Sequence, residues 1–129
     1  MRHNRMVITL MAALVLMGCA HHNPILPVHD EVLVYPLAYD LTYLRTLDAL
    51  MTVPGWDLET TDKEKGLIRV RNVEYSRVND ADKRLATFLL KRLNGRETSV
   101  ELERDSQQVL GAGTLIKAVS AQLSREVQS

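Results

Sequence analysis

Cysteine is nearly absent from this 129-residue chain, with Cys19 the single example. No internal disulfide can form, so a folded domain must rest on its apolar core and its hydrogen bonds. Histidine is confined to His3, His21, His22 and His29, so a Ser-His-Asp or Cys-His arrangement would have to draw its base from the chain's first quarter. Aromatics amount to one Trp, one Phe and four Tyr, and no stacking platform for bases or sugars is evident. Excess positive charge is missing too, with 16 basic residues against 16 acidic ones. That balance argues against nucleic acid as a partner, because a phosphate backbone calls for a strong positive field. No H-E-x-x-H, P-loop or paired-cysteine motif occurs, and neither a cofactor nor a metal is expected. No apolar run reaches the roughly 20 residues that a stable membrane-spanning helix needs.

What the chain does have begins at its start. Arg2, His3 and Arg5 form a short basic region, and Met6 to Met17 is an almost unbroken apolar segment of signal-peptide length. It ends at Leu16-Met17-Gly18-Cys19. This block resembles the lipobox of bacterial lipoproteins, with Met17 standing where that pattern favours a small or β-branched residue. The resemblance implies cleavage between Gly18 and Cys19, a diacylglyceryl thioether on the Cys19 sulfur and an acylated amino terminus. Several acyl chains make release from a bilayer very slow, at about 0.8 kcal/mol per buried methylene. Ala20 follows the cysteine, and in Gram-negative lipoproteins a residue other than Asp there implies export to the outer membrane. Residues 1–18 are thus expected as a leader and 19–30 as a lipidated tether with Pro24 and Pro27. Residues 31–129 are expected as one domain, slightly acidic once Arg2 and Arg5 have left. His21, His22 and His29 have no carboxylate or thiolate partner beside them in the tether, so they are read as solvated rather than metal-binding.

Along the domain, Glu31-Val32-Leu33-Val34-Tyr35 reads as a strand that closes at Pro36. Asp40 is expected to cap a helix through Met51, with Tyr43, Leu44, Leu47, Leu50 and Met51 towards the core and Arg45 and Asp48 towards solvent. Pro54-Gly55 ends it. Trp56–Thr61 and Leu67–Asn72 alternate as strands about the turn Asp62-Lys63-Glu64-Lys65-Gly66. The hairpin places Glu59 opposite Arg69 and Asp57 opposite Arg71, with Trp56, Leu58, Thr60, Ile68 and Val70 on the other face. Those pairings make the arginines cross-strand partners of acids rather than an anion site. Asn79, Asp80 and Asp82 lack the glycine and terminal glutamate of a calcium loop and read as a solvated turn.

Residues 84–93 admit two readings. A helix would be capped by Asp82 and stopped by Asn94-Gly95, whereas a strand, the favoured reading, makes Asn94-Gly95 a two-residue hairpin turn. In the strand reading Leu89 lies opposite Val100, Thr87 opposite Leu102 and Arg92 opposite Glu97. Phe88 and Leu90 then lie away from the core beside Glu101 and Glu103, as a candidate contact for a partner protein. Thr98–Arg104 alternates as a further strand. Gly111-Ala112-Gly113 opens a last helix with Leu115, Ile116, Val119 and Leu123 buried, and the lone Gly-x-Gly falls short of a dinucleotide fingerprint.

The expected fold is α+β: an antiparallel sheet of four to five strands with two helices on one face, in the order β-α-β-β-β-β-α. The run from Asp40 through Pro54-Gly55-Trp56 and the 62–66 turn to the closing hairpin and helix resembles small envelope lipoproteins. It also resembles the helix-on-sheet domains of lipoproteins accessory to outer-membrane β-barrel assembly. The expectation that follows is a non-enzymatic, lipid-anchored protein of the outer membrane's periplasmic face, docked on another envelope protein. The alternatives are a small-ligand or lipid-binding lipoprotein, and a hydrolase using Asp57 and Glu59.

Overall fold

The computed structural model describes residues 26–74 and 85–129. Five strands form one antiparallel sheet: β1 (Leu33–Tyr35), β2 (Trp56–Asp62), β3 (Leu67–Asn72), β4 (Leu85–Arg92) and β5 (Thr98–Leu102). Helix α1 (Tyr39–Met51) follows β1, and α2 (Ala112–Gln128) follows β5 after a 3₁₀ turn at Arg104–Ser106. The order across the sheet is β1-β5-β4-β3-β2, so the first strand closes against the last and β1 and β2 are the edges. The fold is therefore the expected α+β arrangement, with the elements in the expected order and both helices on one face.

The strands' period-2 alternation sends every second side chain to the helical face. Ala86, Phe88 and Leu90 of β4, Val100 and Leu102 of β5, and Ile68 and Val70 of β3 point beneath the helices. They meet Tyr43, Ala49 and Leu50 of α1 and Leu115, Val119 and Leu123 of α2 in one core. Each valine, leucine, isoleucine or phenylalanine among them contributes about 1.5–3 kcal/mol by leaving water. Trp56 packs under the entry to α2, where Gly111 has φ +88 and no Cβ to strike the indole. The sequence's reading of α2 holds, with Leu115, Ile116, Val119 and Leu123 all buried.

The face of α1 is rotated from the expected one. Thr42, Tyr43, Thr46, Ala49 and Leu50 are buried, while Leu44 and Met51 are exposed. Small residues allow the helix to approach closely, and each threonine satisfies its own hydroxyl on the preceding turn. Thr42 Oγ1 donates to the Ala38 carbonyl (2.9 Å) and Thr46 Oγ1 to the Thr42 carbonyl (2.8 Å). The helix also starts earlier than expected. Ala38 is its N-cap without a side-chain bond, and Asp40 lies inside the first turn, where a carboxylate still favours the helix dipole.

Two registers differ from the sequence reading, and both differences turn on one residue. In the β2–β3 hairpin, Asp57 opposes Arg71 and Leu58 opposes Val70, but the register then shifts so that Thr60 opposes Arg69. Glu59 is the extra residue of a β-bulge, and it bonds Arg71 instead of Arg69. Thr61 rather than Thr60 therefore lies opposite Ile68, and Leu58, on the edge strand, is exposed. In the β4–β5 hairpin, Phe88 opposes Leu102 and Leu90 opposes Val100. The connection is a three-residue loop, Asn94–Arg96, between Leu93 and Glu97, whose backbone groups bond at 3.0 Å. Gly95 does not take the left-handed conformation that the two-residue turn would need. A one-residue slip inverts every side chain of a strand, so Phe88 and Leu90 are core residues, 1% and 3% exposed, and not an outward contact.

Candidate functional site

Three surfaces follow from this frame, and the strand directions orient them. The chain enters β1 at one end of the sheet, here the lower end, which also holds Trp56, Asn72, Leu85 and Leu102. Tyr35, Asp62, Leu67, Arg92 and Thr98 mark the upper end.

The sheet face opposite the helices carries the alternate residues of each strand: Val34, Asp57, Thr60, Arg69, Arg71, Thr87, Leu89, Lys91, Ser99 and Glu101. The Arg69 Nε donates to Thr87 Oγ1 (3.1 Å) and the Lys91 ammonium bonds the Glu101 carboxylate. Arg69, Leu85, Thr87, Glu103, Asp105 and Ser106 border a depression of about 250 Å³ at its lower part. There Ser106 Oγ accepts from the Thr87 N–H (2.8 Å), tying the 3₁₀ turn to β4. Half-buried Leu67 and Leu89 and exposed Val34 supply apolar area between these polar groups. Among the described residues no helix covers this face.

The upper end holds an open groove of about 560 Å³ between the start of α1, the β2–β3 turn and the end of β4. Asp62 shapes that turn by accepting the Lys65 N–H (3.1 Å), and Gly66 completes it at φ +68. Gly66 lies so close to β4 that a Cβ would overlap the Leu90 carbonyl, while its own carbonyl accepts the Leu90 N–H (2.7 Å). Tyr39 forms the wall. Its hydroxyl donates to the Lys63 carbonyl (2.5 Å) and the Arg92 guanidinium stacks on its ring at 5.1 Å. Burial raises the Tyr39 phenol above its ordinary value, against the lowering pull of Arg92 and Lys63. Tyr43, 6.1 Å away ring to ring, is raised by burial as well, and its hydroxyl donates to the Leu67 carbonyl (3.0 Å). The charges around the groove largely answer one another: Lys63 meets Asp40 at 3.0 Å and Lys65 meets Asp62 at 3.7 Å. The groove was not legible in the sequence, because Tyr39, Lys63 and Arg92 lie on three separate elements.

At the lower end the entering chain is fixed before β1 begins. The His29 N–H donates to the Gln107 carbonyl (2.9 Å), and the His29 ring lies over Gly113, where a Cβ would come within 3.0 Å of it. The ring faces Glu31 at 3.5 Å. His29 thus packs on the first turn of α2 instead of standing free in solvent.

Of the other residues singled out in the sequence, Asp57 and Glu59 lie on the exposed edge strand, with Glu59 bonded to Arg71. Gly18, Cys19, His21 and His22 lie outside the described residues, as do Asn79, Asp80 and Asp82. Among the described residues, no three His, Cys, Asp or Glu side chains cluster as metal ligands, and no helix is long and apolar enough to cross a membrane. Comparison of the chain with protein-family models gave no match, and neither did comparison with curated proteins.

Proposed function

We propose that the chain is a lipid-anchored envelope protein. Its leader, residues 1–18, is removed, Cys19 carries the lipid, and the domain works without catalysis by docking another envelope protein from the periplasmic face of the outer membrane. The anchor part of this reading rests on the Leu16-Met17-Gly18-Cys19 block at the end of the apolar run. The docking part rests on one observation: both helices lie on the same face of a five-stranded sheet, and the opposite face carries Leu67, Leu89 and Val34 among Arg69, Arg71 and Lys91. Apolar side chains flanked by arginines and ringed by polar groups match the make-up of protein interfaces, in which arginine is enriched and the rim is polar. The surface differs from the one expected from sequence, since Phe88 and Leu90 belong to the core.

The anchor is tested by fractionation. Cys19→Ser should leave the membrane fraction, and tight retention of that variant would count against lipidation. The docking face is tested with a photo-crosslinking residue at Leu89, compared with one at exposed Leu44 on the helical side. One dominant adduct from Leu89 and none from Leu44 supports the reading. Equal yields from both positions, or none from either, would count against it.

A further inference from the structure

We infer that the lower end of the domain, through Leu26, Val28 and Leu110, seats directly on the lipid surface that holds Cys19. The inference deepens the anchor reading and rests on it. Leu26, Val28 and Leu110 are exposed apolar residues. Leu26 and Leu110 border one groove of about 300 Å³ against the first turn of α2, together with Pro27 and Lys117. The point where the chain leaves this end is fixed rather than free to swing, because the His29–Gln107 backbone bond and the His29 ring over Gly113 hold it to α2.

Chain length then restricts the orientation. Seven residue steps separate Cys19 from Leu26, so the two are at most about 25 Å apart even at full extension. A domain of roughly 100 residues is about 33 Å across. With the upper end turned to the bilayer, Leu26 would stand about 33 Å above it, beyond the reach of the tether. The lower end stays within the tether's reach of the lipid, and it carries three exposed apolar residues, Leu26, Val28 and Leu110. Lys117 beside them adds a cation suited to anionic headgroups. In that seating the upper groove and the Asn94–Arg96 loop face away from the membrane.

The test uses the full chain, matured in a bacterial membrane, purified and reconstituted in vesicles of phosphatidylethanolamine and phosphatidylglycerol. In the anchor reading the Cys19 sulfur is a thioether, so a cysteine introduced elsewhere is the only thiol to label. Nitroxides are placed in Leu110→Cys and in Leu93→Cys, the latter exposed near the upper-end loop. Relaxation by membrane-soluble oxygen is compared with relaxation by a water-soluble nickel chelate, and the mass of the amino-terminal peptide is read alongside. The expected result is an oxygen-to-nickel ratio several-fold higher at Leu110 than at Leu93, falling towards the Leu93 value when Leu26→Ser and Val28→Ser are added. A lipidated Cys19 with equal, aqueous ratios at both sites overturns the seating while leaving the anchor intact. Spin–spin coupling between copies at Leu110 overturns it in favour of self-association. An unmodified Cys19 overturns the anchor reading and the seating together.

Discussion

The β4–β5 register decides which side chains are core and which are available, and substitutions at neighbouring positions measure it. Phe88 is 1% exposed among Ile68, Leu102 and the α1 and α2 side chains. Phe88→Ala removes its transfer free energy and leaves a cavity, a cost of about 3–5 kcal/mol. For a domain of about 100 residues that lowers Tm by more than about 12 °C. Leu89, one residue on, lies half-buried on the open face opposite Glu101. Leu89→Ala should cost under about 1 kcal/mol. The measurement is urea unfolding of residues 20–129 followed by Trp56 fluorescence, with the slope checked for constancy so that the midpoint reports stability alone. Because Phe88→Ala consumes a large share of the stability a small domain has, Phe88→Leu, with an expected loss of about 1–1.5 kcal/mol, serves as a milder companion. In the register with Leu89 opposite Val100 the two positions would exchange roles. A Leu89→Ala loss equal to or greater than that of Phe88→Ala would refute the packing described.

Gly66→Ala should destabilise by about 2–4 kcal/mol, from the left-handed backbone and the overlap of the new Cβ with the Leu90 carbonyl. Gly95→Ala, with open space around it, should stay within about 0.5 kcal/mol in the same assay. Tyr39 and Tyr43 titrate above 10 in the fold, so between the unfolded and folded values the native state holds more protons than the unfolded chain. Their contribution to stability is therefore complete below pH 10 and declines as pH rises through the folded values. Tyrosinate absorbance should show two late-titrating groups that return to ordinary behaviour in urea. Thr46→Val removes a fully buried hydroxyl while the Thr42 carbonyl keeps its helical N–H, so chemical denaturation should find a change within about 1 kcal/mol. A loss of several kcal/mol there would mean that the Thr46 hydroxyl has a further partner.

Element order was legible because long alternating or helical patterns speak for themselves, while the first and last strands proved shorter than read, β1 beginning at Leu33 and β5 ending at Leu102. Leu67–Asn72 and the α2 stripe of Leu115, Ile116, Val119 and Leu123 each carry one period cleanly. Facing was less legible, because it depends on single residues. β4 has apolar side chains of both parities, Phe88 and Leu90 on one and Leu85 and Leu89 on the other, so its pattern does not select a face. Asn94-Gly95 marks a turn without stating the loop length, and a loop one residue longer inverted the strand. In α1 large apolar residues suggest one face, yet threonines able to satisfy their hydroxyls locally allow a closer approach on another. The upper groove joins Tyr39, Lys63, Gly66 and Arg92 across the fold, and no local pattern announces such a meeting.

The bulge at Glu59 bears on how copies of the domain coexist at high local density. β2 is a sheet edge, and an edge invites a neighbour's strand to extend the ladder. Glu59 interrupts it after Leu58, leaving runs of only three residues, Trp56–Leu58 and Thr60–Asp62, on either side. An identical strand approaching this edge brings its own Asp57, Glu59 and Asp62 against the same three acids. Irregular backbone and like charge thus disfavour open-ended stacking of sheets, the route by which crowded β-proteins turn into fibres.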